Sequence, residues 1–378
     1  MRVTQSMLAG STLNHLSNNY NKMQDLQDQL STGKKISRAS QDPVVAMNGM
    51  RYRTQVEELE QFDRNTSEVH NWMDTSDETL GQSTDAMHRI RELTVQAGND
   101  SYDADERANI AQEVGQLREH LESMANTQNN NKYIFNGTDT THPPVDPDLM
   151  DLDLSELPEI EENGGMEDQQ LVHNGSAYEY EEGGDGEYVF QNADDEDDTI
   201  TVALDGDNEV ESVVRNHGDG EENELAEREI VLSDVNAVST NEEDVEIELL
   251  KGVSVPVNID SGSVYSNELF GDLHALEKAL EDPETEADEL TGKLDVLDGH
   301  IDGMVDERAE LGARVNRVEM IEDRIADQEI TANRIKSDNE DAEIEEVITE
   351  LMEQENVHRA ALSASGRIIQ PTLMDFLS

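Results

Sequence analysis

The sequence predicts an α+β protein: a long antiparallel coiled-coil helical bundle formed by both chain ends, with a β-rich acidic domain inserted in the middle. Three observations carry that reading. Apolar residues recur at heptad spacing near both ends, the middle third alternates apolar and polar residues between turn clusters, and the charge changes sharply at the same borders. Among 378 residues there are 88 acidic and 26 basic side chains, a net charge of −62. Residues 1–140 hold 13 basic and 21 acidic residues, 141–260 hold 3 and 37, and 261–378 hold 10 and 30.

The first helix is read from Leu13, Leu16, Tyr20, Met23, Leu26 and Leu30, whose steps of three and four place them on one face. It stops near Ser31-Thr32-Gly33, where glycine can take the left-handed position that closes a helix. Asp42-Pro43 then supplies a capping oxygen and a first-turn proline for a second helix. Leu59, Thr66, Met73, Leu80, Met87 and Thr94 lie seven apart along it, as do Phe62, Val69, Ser76, Ser83 and Ile90. Those are the two positions of a coiled-coil seam. A third helix, with Ile110, Val114, Leu117, Leu121 and Met124 at the same alternating steps, returns antiparallel through the loop around Gly98-Asn99-Asp100 and closes its seam on the second.

Prolines 143, 144, 147 and 158 open the middle third. Strands are expected at Glu187-Tyr188-Val189-Phe190, 199–204, 245–249 and 253–257, where apolar and polar residues alternate. The C-terminal flank repeats the helical pattern: Leu290, Leu294, Leu297, Ile301, Met304, Leu311, Val315, Val318 and Ile325 share one seam, interrupted by Arg308 and Glu322. Ile348, Leu362, Ile369 and Phe376 lie at multiples of seven, with Glu355 in the gap and Pro371 kinking the last turns. The expected division is residues 1–40 pairing with 341–378, a rod of 41–140 with 266–340, and an outer domain at 141–265.

The composition excludes several classes. A surface this acidic repels nucleic acid and anionic membranes. With no cysteine there is no disulfide, thiolate metal site or cysteine nucleophile. There is no His-Glu-x-x-His, phosphate loop or Gly-x-Ser-x-Gly, and the ten histidines are scattered, so neither an enzyme nor a cofactor is expected. Asp205-Gly206-Asp207-Asn208-Glu209 imitates the start of a calcium loop but has Val210 where that loop needs glycine and Asn216 where it needs glutamate. That segment and the acidic run 194–198 read first as solvated turns, with loose cation binding as the alternative. Only eight basic residues are lysine, a balance that suits strong salt or alkaline surroundings.

Several motifs resemble the bacterial flagellar hook–filament junction proteins, the third hook-associated proteins of the flagellin family. They are Arg2-Val3-Thr4-Gln5-Ser6-Met7; the segment 29–43, with Ser31, Gly33, Arg38, Asp42 and Pro43; Arg91-Glu92-Leu93-Thr94-Val95-Gln96-Ala97; Tyr133-Ile134-Phe135-Asn136-Gly137-Thr138; and the terminus Ile368-Ile369-Gln370-Pro371-Thr372-Leu373-Met374-Asp375-Phe376-Leu377. The resemblance implies a non-enzymatic subunit, exported to the flagellum without a cleaved signal peptide and needed for filament assembly and motility. It implies a ring of identical subunits between the first hook-associated protein and flagellin, and an export chaperone that holds the C-terminal segment. The subunit interface expected on this basis is Leu13, Leu16, Tyr20, Met23, Leu26 and Leu30 with Leu362, Ile368, Ile369, Leu373 and Phe376. Flagellin itself, or an acidic cation-binding or adhesive surface protein, is the alternative.

Overall fold

The computed structural model describes residues 2–99, 102–184, 186–193, 195–217 and 221–369, and it divides the chain into two compact units. One comprises residues 1–64 and 322–378, the other residues 65–321. Among the described residues, eight α-helices run α1 Arg2–Thr32, α2 Pro43–Ala97, α3 Ala104–Ala125, α4 Leu157–Asn163, α5 Ser261–Val264, α6 Asn267–Glu281, α7 Ala287–Glu340 and α8 Ile344–Ile369. Eleven strands of described residues lie between α3 and α5: β1 Gln128–Asn129, β2 Lys132–Tyr133, β3 Gln169–His173, β4 Ser176–Gly184, β5 Glu187–Asn192, β6 Asp198–Leu204, β7 Val210–His217, β8 Glu221–Leu225, β9 Val231–Asp234, β10 Glu246–Leu250 and β11 Val253–Pro256. The α+β class read from the sequence is the class observed.

In the larger unit the second-helix seam is buried as its spacing requires. Val69, Met73, Leu80, Met87 and Ile90 are sealed from solvent, and so are the polar members Thr66, Ser76, Ser83 and Thr94. A hydroxyl can occupy such a position because it bonds to its own helix one turn back. Ser76 donates to the Trp72 carbonyl at 3.1 Å, Ser83 to Thr79 at 3.0 Å and Thr94 to Ile90 at 2.9 Å. The helix α3 starts on a reciprocal capping box between Asp103 and Glu106 and runs antiparallel to α2, held by Arg89 on Glu113 at 2.8 Å. Its close neighbour is α6, which the sequence reading did not anticipate. Gly115 permits that approach, since a Cβ there would lie 2.5 Å from the Glu277 carboxylate. The seam of α7 is likewise buried at Leu290, Leu297, Ile301, Met304, Leu311 and Val318. Its interruption at Arg308 is an ion pair with Asp77 of α2 at 2.7 Å, and Arg91 reaches Asp298 at 2.5 Å.

The middle segment forms a seven-stranded antiparallel sheet in the order β8-β7-β6-β5-β4-β3-β9, with β10 and β11 as a separate hairpin. The expected strand at 199–204 is β6, in which every second residue is buried. One sheet face packs Tyr178, Phe190, Ile200, Val202 and Val213 under Leu154, Leu157 and Met166 from the α4 segment. Towards β9 the other face is also covered, by α6, so β3 is buried along its whole length. The β3–β4 turn is Asn174-Gly175, with φ of 48° and 79°, the pair of left-handed residues that a tight hairpin requires.

The tightest point of this packing is Gly271 on α6, where a Cβ would come within 2.6 Å of Val172 on β3. Gly271→Ala is expected to cost about 1–3 kcal/mol by overpacking. The denaturant midpoint should fall with the slope of the transition unchanged.

Candidate assembly site

The smaller unit is built from α1, the loop 33–42, the first turns of α2, the last turns of α7, and α8. Gly33 has φ of +68° and donates to the Gln29 carbonyl at 2.8 Å, ending α1 where the sequence reading placed its end. Asp42 then caps α2, its carboxylate accepting from the Val44 and Val45 amides at 2.9 and 3.1 Å ahead of Pro43. Between these points Gln41 orders the loop, accepting from the Ser37 and Arg38 amides and donating to Asp25 at 2.9 Å.

The loop docks on the link between α7 and α8. Lys34 pairs with Asp341 as an isolated antiparallel bridge, flanked by Lys35 donating to the Glu340 carbonyl at 2.7 Å and Ala342 to the Gly33 carbonyl at 2.9 Å. Beneath that bridge the Glu340 side chain is 7% exposed and accepts two bonds from Arg53, at 2.7 and 2.9 Å, and one from Lys34 at 3.4 Å. Burial raises the Glu340 pKa, but Arg53 and then Lys34 outweigh it and hold the carboxyl below its ordinary value. Gly49 makes room, because a Cβ there would lie 2.9 Å from the carboxylate. The sequence reading missed this clamp, although five basic side chains and one acidic one within residues 33–56 of so acidic a chain mark the place.

From there α1 and α8 run alongside each other. Leu26 is buried, Leu16 and Met23 are half-buried, and Leu13, Tyr20 and Leu30 are exposed, Leu13 by 68%. On α8, Val347 is buried while Ile344, Ile348, Met352, Val357 and Leu362 are exposed, Leu362 by 49%. Ile368 and Ile369 fall within the helix, but their side chains, like Pro371, Leu373 and Phe376 as a whole, lie outside the described residues. The pattern extends to Val44, Met47 and Met50 on α2 and to Ile330 and Ile335 on α7. Of seventeen large apolar side chains exposed among the described residues, fourteen lie in this smaller unit.

Two other sequence-derived features have local structural roles. Phe135 is sealed against Tyr265, ring centroids 5.2 Å apart and nearly perpendicular, and Tyr265 meets Ser83 at 2.6 Å. Tyr133 is half-buried at the end of β2, and Gly137 turns with φ of +49° against the backbone of Asn241 and Glu243. In the acidic run 194–198, Asp198 is buried in the sheet, where Arg215 grips it at 2.7 and 2.9 Å and holds its carboxyl well below the carboxylate range. Asp205 folds its carboxylate back on the amides of Asp207 and Glu209. No group of three or more acidic or histidine side chains converges for a metal ion among the described residues, and no helix there is long and apolar enough to cross a membrane.

Residues 3–140 match the family described as the bacterial flagellin N-terminal helical region. The chain is 30% identical to a flagellin of Bacillus subtilis over 156 residues, 40% of this chain and 51% of the relative. It is 28% identical to flagellar hook-associated protein 3 of Salmonella typhimurium over 147 residues, 39% of this chain and 46% of the relative. The chain thus spans about half the length of the curated relatives it matches. Its fold resembles that of a flagellar hook-associated protein from Vibrio parahaemolyticus, with a TM-score of 0.53 at 13% identity, covering 80% of this chain and 100% of that one. The resemblance read from the motifs is therefore met in sequence and in fold.

Two outcomes follow from the geometry. A carboxylate with a depressed pKa stabilises the fold above its unfolded-state pKa and loses that effect as pH falls through the folded value. Glu340→Gln should therefore cost about 1–3 kcal/mol near neutrality, less than a fully buried pair because Arg53 is 59% exposed. The gap from the unaltered chain should close below the ordinary carboxylate range near 4.5, as thermal melts across pH would read. Gly137→Ala meets a positive φ and a carbonyl 2.6 Å from the new methyl, and should lower the melting temperature of the full chain without changing its far-ultraviolet spectrum.

Proposed function

We propose that this chain, which carries a flagellin-type N-terminal helical region and a hook-associated fold, is a structural junction subunit of the bacterial flagellum. In this reading it forms a ring of identical copies between the first hook-associated protein and flagellin, and filament growth and motility depend on it. The observation that carries the reading is the concentration of exposed apolar side chains in the unit formed by the chain ends. Monomers expose scattered apolar residues; a continuous set on two long helices is an interface awaiting partners.

Leu13, Leu16, Tyr20, Met23, Leu26 and Leu30, with Leu362, Ile368, Ile369, Leu373 and Phe376, are assigned to that interface. The division into an inner part of 1–40 with 341–378, a rod of 41–140 with 266–340 and an outer acidic domain of 141–265 belongs to the same proposal. So do location on the flagellum after export without a cleaved signal peptide, and a chaperone that covers the C-terminal segment beforehand.

Replacing Leu16 and Met23 by Asp is expected to leave the central sheet folded and to abolish incorporation into flagella. Motile cells with normal filaments carrying that double variant would overturn the assignment. Likeness to flagellin supports a filament subunit as the second reading. Counting copies of the chain in isolated flagella separates them, a few rings' worth against thousands.

A further inference from the structure

Beside the Glu340 clamp lies a pocket of about 220 Å³, lined by Lys34, Arg38, Val45, Gly49, Met50 and Arg53, with Glu340 in its wall. Glu340 is already neutralised by Arg53 and Lys34. Arg38 is not engaged: it is exposed, and its guanidinium makes no hydrogen bond or ion pair with any described residue. Exposed Val44, Met47 and Met50 follow one another at steps of three beside it. Residues 33–56 thus join free positive charge to uncovered apolar surface, in a chain where acids outnumber bases by more than three to one.

The complement is on the same chain. Residues 344–358, which open α8, hold five acidic side chains and no lysine or arginine. Glu346, Glu350 and Glu353 fall at i, i+4 and i+7, all exposed and none in an ion pair among the described residues. Ile348 and Met352 are exposed on the same turns. A cationic apolar pocket and an anionic apolar stripe on one polypeptide are the two halves of a head-to-tail contact, the kind that closes into a ring when the rotation between copies permits.

We infer that the Arg38 pocket receives the acidic stripe of α8 from a second copy of this chain, with Arg38 meeting the Glu346 carboxylate. The inference rests on the ring-forming role proposed above and names which surfaces the ring contact uses. Planar two-pronged binding suits arginine to that task. Pairing of opposite charges also sets the register between copies that would otherwise repel one another.

The test uses full-length chains, each as the sole copy in the source bacterium, and compares the amount in isolated flagella with the amount in the medium. Arg38→Glu and Glu346→Arg should each lower the flagellar fraction about tenfold or more. The chain carrying both changes restores opposite charges at the contact and should return most of that loss. Melting of each purified variant checks folding, which neither change should disturb, since neither side chain has a partner within the described chain. Normal incorporation of Arg38→Glu, or failure of the double variant to recover while both singles are folded, overturns the inference. If the unaltered chain is itself absent from flagella, the junction role fails first, and with it the premise of this contact.

Discussion

The chain leaves its first helix and enters its last one at the same place, and the carboxylate of Glu340 holds that place together. Taking a carboxylate out of water is costly unless charge and hydrogen bonds replace the lost solvent. Here Arg53 supplies two bonds and Lys34 a third, while the backbone of residues 33–35 is stitched to that of 340–342. Arg53 remains largely exposed, so only one of the two ions is fully desolvated. That asymmetry lets the pair hold without the penalty of burying both charges, and it fixes where α1 and α8 begin to run alongside each other.

The two units treat polar and apolar groups in opposite ways. In the larger one the seam hydroxyls bond back to their own helix, Asp198 is gripped by Arg215, and Asp272 takes the Gly175 amide at 3.1 Å and His300 at 2.8 Å. These buried polar groups have partners built for them. In the smaller unit the helices expose Leu13, Tyr20, Met352 and Leu362, residues whose burial would each be worth about 1.5–3 kcal/mol. A fold that completes one core and leaves another open still has association energy to release.

What the sequence made legible follows from how regular each element is. The α2 seam could be read because one face is buried over five heptads, and the strand β6 because one of its faces is sealed and the other half-covered. The end of α1 and the start of α2 were legible because Gly33 and Asp42-Pro43 do local chemistry that needs no tertiary context. By contrast, β3 reads Gln-Gln-Leu-Val-His and shows no alternation, since both faces are buried. Its polar side chains bond to Ser233, Asp234 and the Glu229 carbonyl, though the Gln169 Oε1 is left buried without a partner. The Asn174-Gly175 pair was the available signal for that hairpin. The Glu340 clamp joins positions 287 residues apart, and no local pattern announces such a pair.

The net charge of −62 is more informative by location than by size. The segment 141–260 holds 37 acidic and only 3 basic residues, and none of the exposed large apolar side chains among the described residues falls within it. A chain with open helical faces must avoid sticking to itself in the wrong register before assembly. Like charge over the surfaces that should stay apart opposes such contacts, within a screening length of about 10 Å at ~0.1 M salt. Repulsion spread over every surface would oppose the correct contact too. The basic run at residues 33–56 is the exception this requires: attraction confined to one site, beside apolar residues that can be buried once the register is right. Charge then selects the contact, and apolar burial supplies its strength.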